Sequence, residues 1–170
     1  MKRINIISFL VIFLLILTCV GSLVGCKEKE ETSEALFITS GELFSDEKSE
    51  GLILDGMVYF ASLGIDRNRI TEYGYIYSFD CPENMQIDDD VVRIKGDITN
   101  QNHLTIKISV DEACYNKDLS FRMYIKYHEI NSDEEKILYS FSYGACNLYE
   151  LAKNDPSDFA KRVVKAVENK

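Results

Sequence analysis

From Leu36 to Tyr143, apolar and polar residues alternate with a period of two, in short runs separated by turn-forming residues. That pattern marks half-buried antiparallel strands. Leu104, Ile106, Ile108 and Val110 alternate with Thr105, Lys107, Ser109 and Asp111. Phe121, Met123, Ile125 and Tyr127 oppose Arg122, Tyr124, Lys126 and His128. Tyr73, Tyr75, Tyr77 and Phe79 share one face, opposite Glu72, Gly74, Ser78 and Asp80. Strands are predicted over 36–44, 51–63, 72–80, 91–98, 103–110, 119–129 and 136–143. Leu54-Asp55-Gly56-Met57 admits a two-residue hairpin turn or, the preferred reading, a continuous strand with a glycine bulge. Seven runs at this spacing predict an all-β fold, a seven-strand antiparallel β-sandwich over 35–144 rather than βαβ units.

After Cys146 the period changes, and residues 145–170 read as a helical tail. Asp155-Pro156-Ser157-Asp158 predicts a helix start, with Asp155 as N-cap, Pro156 at the first helical position and Asp158 in the first turn. Phe159, Ala160, Val163, Val164 and Val167 form an apolar stripe at helical spacing, expected to pack on the domain. A short helical turn over 148–153 is expected to precede it.

The first thirty residues carry a different pattern. Met1-Lys2-Arg3 precedes an apolar run from Ile4 to Val20, interrupted only by Asn5, Ser8 and Thr18. The run narrows to Gly21-Ser22-Leu23-Val24-Gly25-Cys26 and switches abruptly to Lys27-Glu28-Lys29-Glu30-Glu31. A charged start, an apolar stretch and small residues before a cleavage point describe a secretory signal. The run is long enough for a membrane-spanning helix, but the small-residue tail and the charge switch oppose that reading. Leu23-Val24-Gly25-Cys26 resembles the lipobox of bacterial lipoproteins. The resemblance implies that residues 1–25 are removed and that Cys26 carries diacylglyceryl and further acyl groups. The protein is then held on the extracytoplasmic face of the cell membrane by lipid, with 26–34 as a tether.

Removing Lys2 and Arg3 takes the formal net charge from −9 to −11. An acidic surface of that kind repels phosphate backbones, so nucleic acid is not an expected partner. Besides Cys19 and Cys26 the chain has Cys81, Cys114 and Cys146. Outside the cytoplasm one disulfide is permitted, and the odd count leaves a thiol over. With two histidines and no Cys-x-x-Cys, the spacings of a zinc site are missing. No metal or other cofactor is expected.

Ile70-Thr71-Glu72-Tyr73-Gly74-Tyr75-Ile76-Tyr77-Ser78 resembles the third strand of bacterial fibronectin type III-like domains. Leu52 to Phe60 is similar to that family's second strand. Asp97 to Val110 is similar to its fourth and fifth strands, and Leu119–Tyr127 with Lys136–Tyr143 to its last hairpin. The chain departs from the family in having no Trp and in placing Phe121 where the corner tyrosine usually stands. The resemblance implies that the third, fifth and seventh strands run the same way. Cys81, Cys114 and Cys146, which follow them, then gather at the pole away from the tether. It implies a disulfide between Cys81 and Cys146, with Cys114–Cys146 as the alternative. Three unpaired thiols remain open.

Candidate chemistry is sparse. Cys146 at the start of a helical turn, with His103 or His128 as base, is the one nucleophile arrangement available, and neither histidine has a residue to orient it. Asp88-Asp89-Asp90 lacks the spacing of a calcium loop. Tyr115 and Tyr124 are the candidates for exposed aromatics able to stack on a sugar. The expectation is therefore a non-enzymatic binding or adhesion module for a protein or glycan partner. The alternatives are a structural subunit that docks through its C-terminal helix and, more remotely, a cysteine-dependent enzyme.

Overall fold

The computed structural model describes residues 31–79, 85–87, 89–141 and 143–170. The signal segment, Cys26, Cys81 and Asp88 lie outside them. The fold is mostly β, with strands β1 (Glu31–Ser33), β2 (Leu36–Ser45), β3 (Glu50–Val58), β4 (Ile70–Ser78), β5 (Val92–Gly96), β6 (His103–Ser109), β7 (Asp118–His128), β8 (Glu135–Ser140) and β9 (Gly144–Asn147). Three short helices accompany them: α1 (Phe60–Leu63), α2 (Leu148–Ala152) and α3 (Asp158–Glu168). One sheet has the order β1-β8-β7-β4-β5, with β9 also on β7, and the other is β2-β3-β6. All pairings are antiparallel except β1 with β8. Among the described residues, no helix is long and apolar enough to cross a membrane.

The alternating apolar positions do what their period requires. Leu52, Leu54 and Val58 from β3, Leu104, Ile106 and Ile108 from β6, Tyr75 from β4, and Phe121, Met123 and Ile125 from β7 meet in one core between the two sheets. Phe159, Ala160 and Val163 of α3 are buried in the same core. The expected stripe therefore packs on its own domain.

Several boundaries differ from the sequence reading. The last tether residues form a strand: Glu31–Ser33 pair in parallel with Leu138–Ser140, covering what would otherwise be an open edge of β8. The 51–63 strand stops at Val58, and α1 follows. β3 is continuous through Gly56, as preferred, but the bulge is on its partner: the β2–β3 register shifts between Ile38 and Ser40. Gly56 is needed for another reason. A Cβ there would overlap the Met123 sulfur, the Tyr75 hydroxyl and the Phe37 carbonyl.

The predicted 136–143 strand stops at Ser140 as β8, and a separate β9 begins at Gly144; the two pair with opposite halves of β7. Gly144 lets β9 close on Phe121, whose ring would overlap any Cβ at that position. The N-cap of α3 is Ser157, which accepts from the Ala160 N–H at 3.1 Å. Asp155 instead accepts from the Ser157 N–H at 2.7 Å and closes the preceding turn.

Candidate functional site

The solvent-facing side of the β2-β3-β6 sheet brings polar and aromatic side chains from all three strands together. Asp55 on β3 lies opposite Thr105 on β6. Its carboxylate accepts from Thr105 Oγ1 at 2.6 Å and from Thr39 Oγ1 at 2.8 Å, and the His103 Nδ1 lies 3.1 Å from its Oδ2. The β2 bulge brings Thr39 within reach of this group. Burial alone would push the Asp55 carboxyl up, but the two hydroxyls and the imidazole outweigh it and hold the carboxyl below its ordinary value. Beside this cluster Phe37 and Tyr59 meet edge to face, with ring centroids 5.1 Å apart. They are 47 % and 48 % exposed. Apolar rings next to a fixed carboxylate and an oriented imidazole can stack on, and hydrogen-bond to, a polar ligand. Strand alternation hinted at this face, because Phe37 falls on the polar phase of β2 between Leu36 and Ile38.

The opposite side of the large sheet, assigned to solvent by alternation, is covered. Ile76, Met85, Tyr124 and Tyr139 form a second buried cluster, with Ile87, Val91 and Ile137 against it. Tyr124 is thus a core residue rather than an exposed aromatic. Its hydroxyl donates to Glu72 at 2.6 Å, and burial followed by that carboxylate raises its pKa. Glu72 also holds Lys95 and Arg93.

Arg122 is buried too. Its Nε donates to the Ser140 carbonyl and its Nη1 to the Met85 carbonyl, each at 3.0 Å. Its guanidinium lies 4.6 Å and 4.7 Å from the ring centres of Tyr139 and Tyr143. The interruption between β8 and β9 is where that guanidinium sits.

Tyr115 is half-buried, packed edge-on against Phe159 with centroids 6.2 Å apart. Among the described residues, the exposed aromatics are Phe37, Tyr59, Phe141 and Tyr143.

Cys114 and Cys146 lie near one end of the sheets, where the Tyr149 N–H donates to the Tyr115 carbonyl at 3.0 Å. Both are free thiols. Cys81 lies outside the described residues, and the Cys81–Cys146 pairing falls there with it. Cys146 belongs to β9 rather than to a helix start, and its sulfur packs toward Gly41 between the sheets. Burial raises its thiol to about 11, opposite in direction to the helix-dipole effect. His103 is on the far, solvent-facing side of the β2-β3-β6 sheet, so the two cannot act together. The Nδ1 of His128 is buried with no hydrogen-bond partner among the described residues. Asp89 accepts from the Gln86 N–H at 2.7 Å and closes a turn. Among the described residues, no three His, Cys, Asp or Glu side chains gather as metal ligands. Beyond the cysteines, α2 and α3 flank an open groove of about 490 Å³ lined by Lys153, Lys161, Lys165 and Glu168.

Set against family models, curated proteins and solved structures, the chain matches none of them.

Proposed function

We propose that this is a lipid-anchored extracytoplasmic binding module without enzymatic activity, tethered through Cys26 and presenting one fibronectin type III-like β-sandwich to a protein or glycan partner. The observation that carries the reading is Leu23-Val24-Gly25-Cys26 closing a largely apolar run behind a basic start. Two or three acyl chains on one cysteine hold a protein at a bilayer almost permanently, at roughly 0.8 kcal/mol per buried methylene. The strand orders β8-β7-β4-β5 and β2-β3-β6 support the sandwich, because they put the second and fifth strands of the resemblance in one sheet and the third, fourth and last two in the other. The Phe37–Tyr59 pair with Asp55 and His103 is the surface best equipped to hold a polar partner. The burial of Phe159, Ala160 and Val163 speaks against docking through the apolar face of the C-terminal helix.

Metabolic labelling with palmitate in a bacterial host tests the anchor. The wild-type chain incorporates label and loses residues 1–25, whereas Cys26→Ser stays unlabelled and unprocessed. Equal processing of both chains without label would replace the lipoprotein by an ordinary secreted protein.

A further inference from the structure

Resting on the lipid-anchored reading, we infer that the tip of the β7–β8 hairpin is a membrane-contact surface, with Ile130 seated in the zwitterionic headgroup layer of the bilayer that holds Cys26. The argument is one of reach. Glu31 pairs with Leu138, and Leu138 with Ile125. From that level β7 runs three more residues to His128, about 10 Å at strand rise, and Glu129 and Ile130 extend beyond it. β1 runs parallel to β8, away from the hairpin, so Glu31 stands at the end of β1 that faces the hairpin. Five peptide steps separate Glu31 from Cys26, and fully extended they span at most about 18 Å. The pairing of β1 with β8, reinforced by the 2.7 Å bond from the Tyr127 hydroxyl to Glu31, fixes Glu31 to the domain and leaves only those five steps between it and Cys26. A lipid on Cys26 therefore keeps Glu31 within about 18 Å of the membrane surface, a span comparable with the rise from the level of Glu31 to the hairpin tip.

What the tip displays fits that place. Ile130 is 73 % exposed, the most exposed large apolar residue among those described. Asn131 beside it takes the left-handed conformation, φ 62°, that makes the turn. Glu129 is neutralised by Lys136 at 2.7 Å. Asp133 and Glu134 remain exposed, which selects zwitterionic over anionic headgroups.

The chain has no Trp, so I130W places a single indole at the tip and K117W a single indole at the opposite end of β7. Each full-length lipidated variant is reconstituted in phosphatidylcholine vesicles with and without acyl-brominated phosphatidylcholine. I130W emission shifts to the blue and is roughly halved by the brominated lipid, as for an interfacial indole, while K117W emission is unchanged. Equal emission and quenching for the two variants overturns the inference. Mass analysis of the N-terminal peptide separates the two possible failures. With Cys26 acylated, the hairpin contact alone is wrong, and with Cys26 unmodified the anchored reading fails and takes this inference with it.

Discussion

The Tyr75 hydroxyl on β4 donates a 3.1 Å hydrogen bond to the Leu104 carbonyl on β6, joining the two sheets through the middle of the core. Tyr75 is fully buried, and burial followed by the Asp55 charge pushes its phenol well above the ordinary range, so the hydroxyl keeps its proton. Tyr75→Phe removes this cross-sheet donor, while the Leu104 backbone keeps its place in the ladder opposite Gly56. The expected loss is about 0.5–1.5 kcal/mol, read as a lower urea midpoint at unchanged slope.

Arg122→Ala removes a cation that two backbone carbonyls and two aromatic rings hold in place. The variant loses packing between Tyr139 and Tyr143 as well as two hydrogen bonds to carbonyls. A loss of about 3–5 kcal/mol is expected. Lys at this position restores little of it, since a single ammonium cannot reproduce the planar stack and the fork. Urea unfolding of both variants checks the order.

Acid weakens the fold through Asp55 and Glu72. For each, burial pushes the carboxyl up but hydrogen-bond partners outweigh it: Thr105, Thr39 and His103 for Asp55, Lys95 and Tyr124 for Glu72. Both folded-state pKa values therefore lie below the ordinary 3.8 and 4.5. A depressed carboxyl contributes stability above its unfolded pKa and loses it as the pH falls through the folded value. Urea midpoints measured from neutral pH downward should drop once the pH passes below the ordinary values. Asp55→Asn and Glu72→Gln should each flatten that acid limb.

The N-cap of α3 is testable by one atom. Ser157→Ala removes the acceptor for the Ala160 N–H and should cost about 1 kcal/mol. Because α3 packs into the main core, the loss should appear in the global transition rather than as local fraying.

Cys146 should resist thiol reagents in the native state. Its sulfur is half-buried against Gly41 and its thiol is raised to about 11, so little thiolate exists at neutral pH. Alkylation followed by peptide mapping should modify Cys146 only after denaturant is added. Rapid native modification would place the thiol at the surface.

The strands were legible because their signal is local. Period-two alternation in Leu104–Val110 and Phe121–Tyr127 needs only neighbouring residues, and the apolar phase of each is buried. The stripe of α3 was legible for the same reason. The Asp55–His103 pair was not, because 48 residues separate them and only the β3–β6 register places them side by side. The N-cap was misplaced by two residues because Asp155 and Ser157 are both good caps, and the choice depends on where the helix meets the core.

By itself the sequence determined the mostly-β character and the amphipathic tail, and it favoured a β3 continuous through Gly56. Each follows from the period or chemistry of a short stretch. Only the tertiary structure decided which surfaces meet water. Arg122 and Tyr124 stand on the polar phase of β7, yet Met85, Ile87 and Val91 cover them, and Glu31 leaves the tether to pair with β8. Alternation states that a strand has two faces. What covers the second one depends on segments distant in the chain.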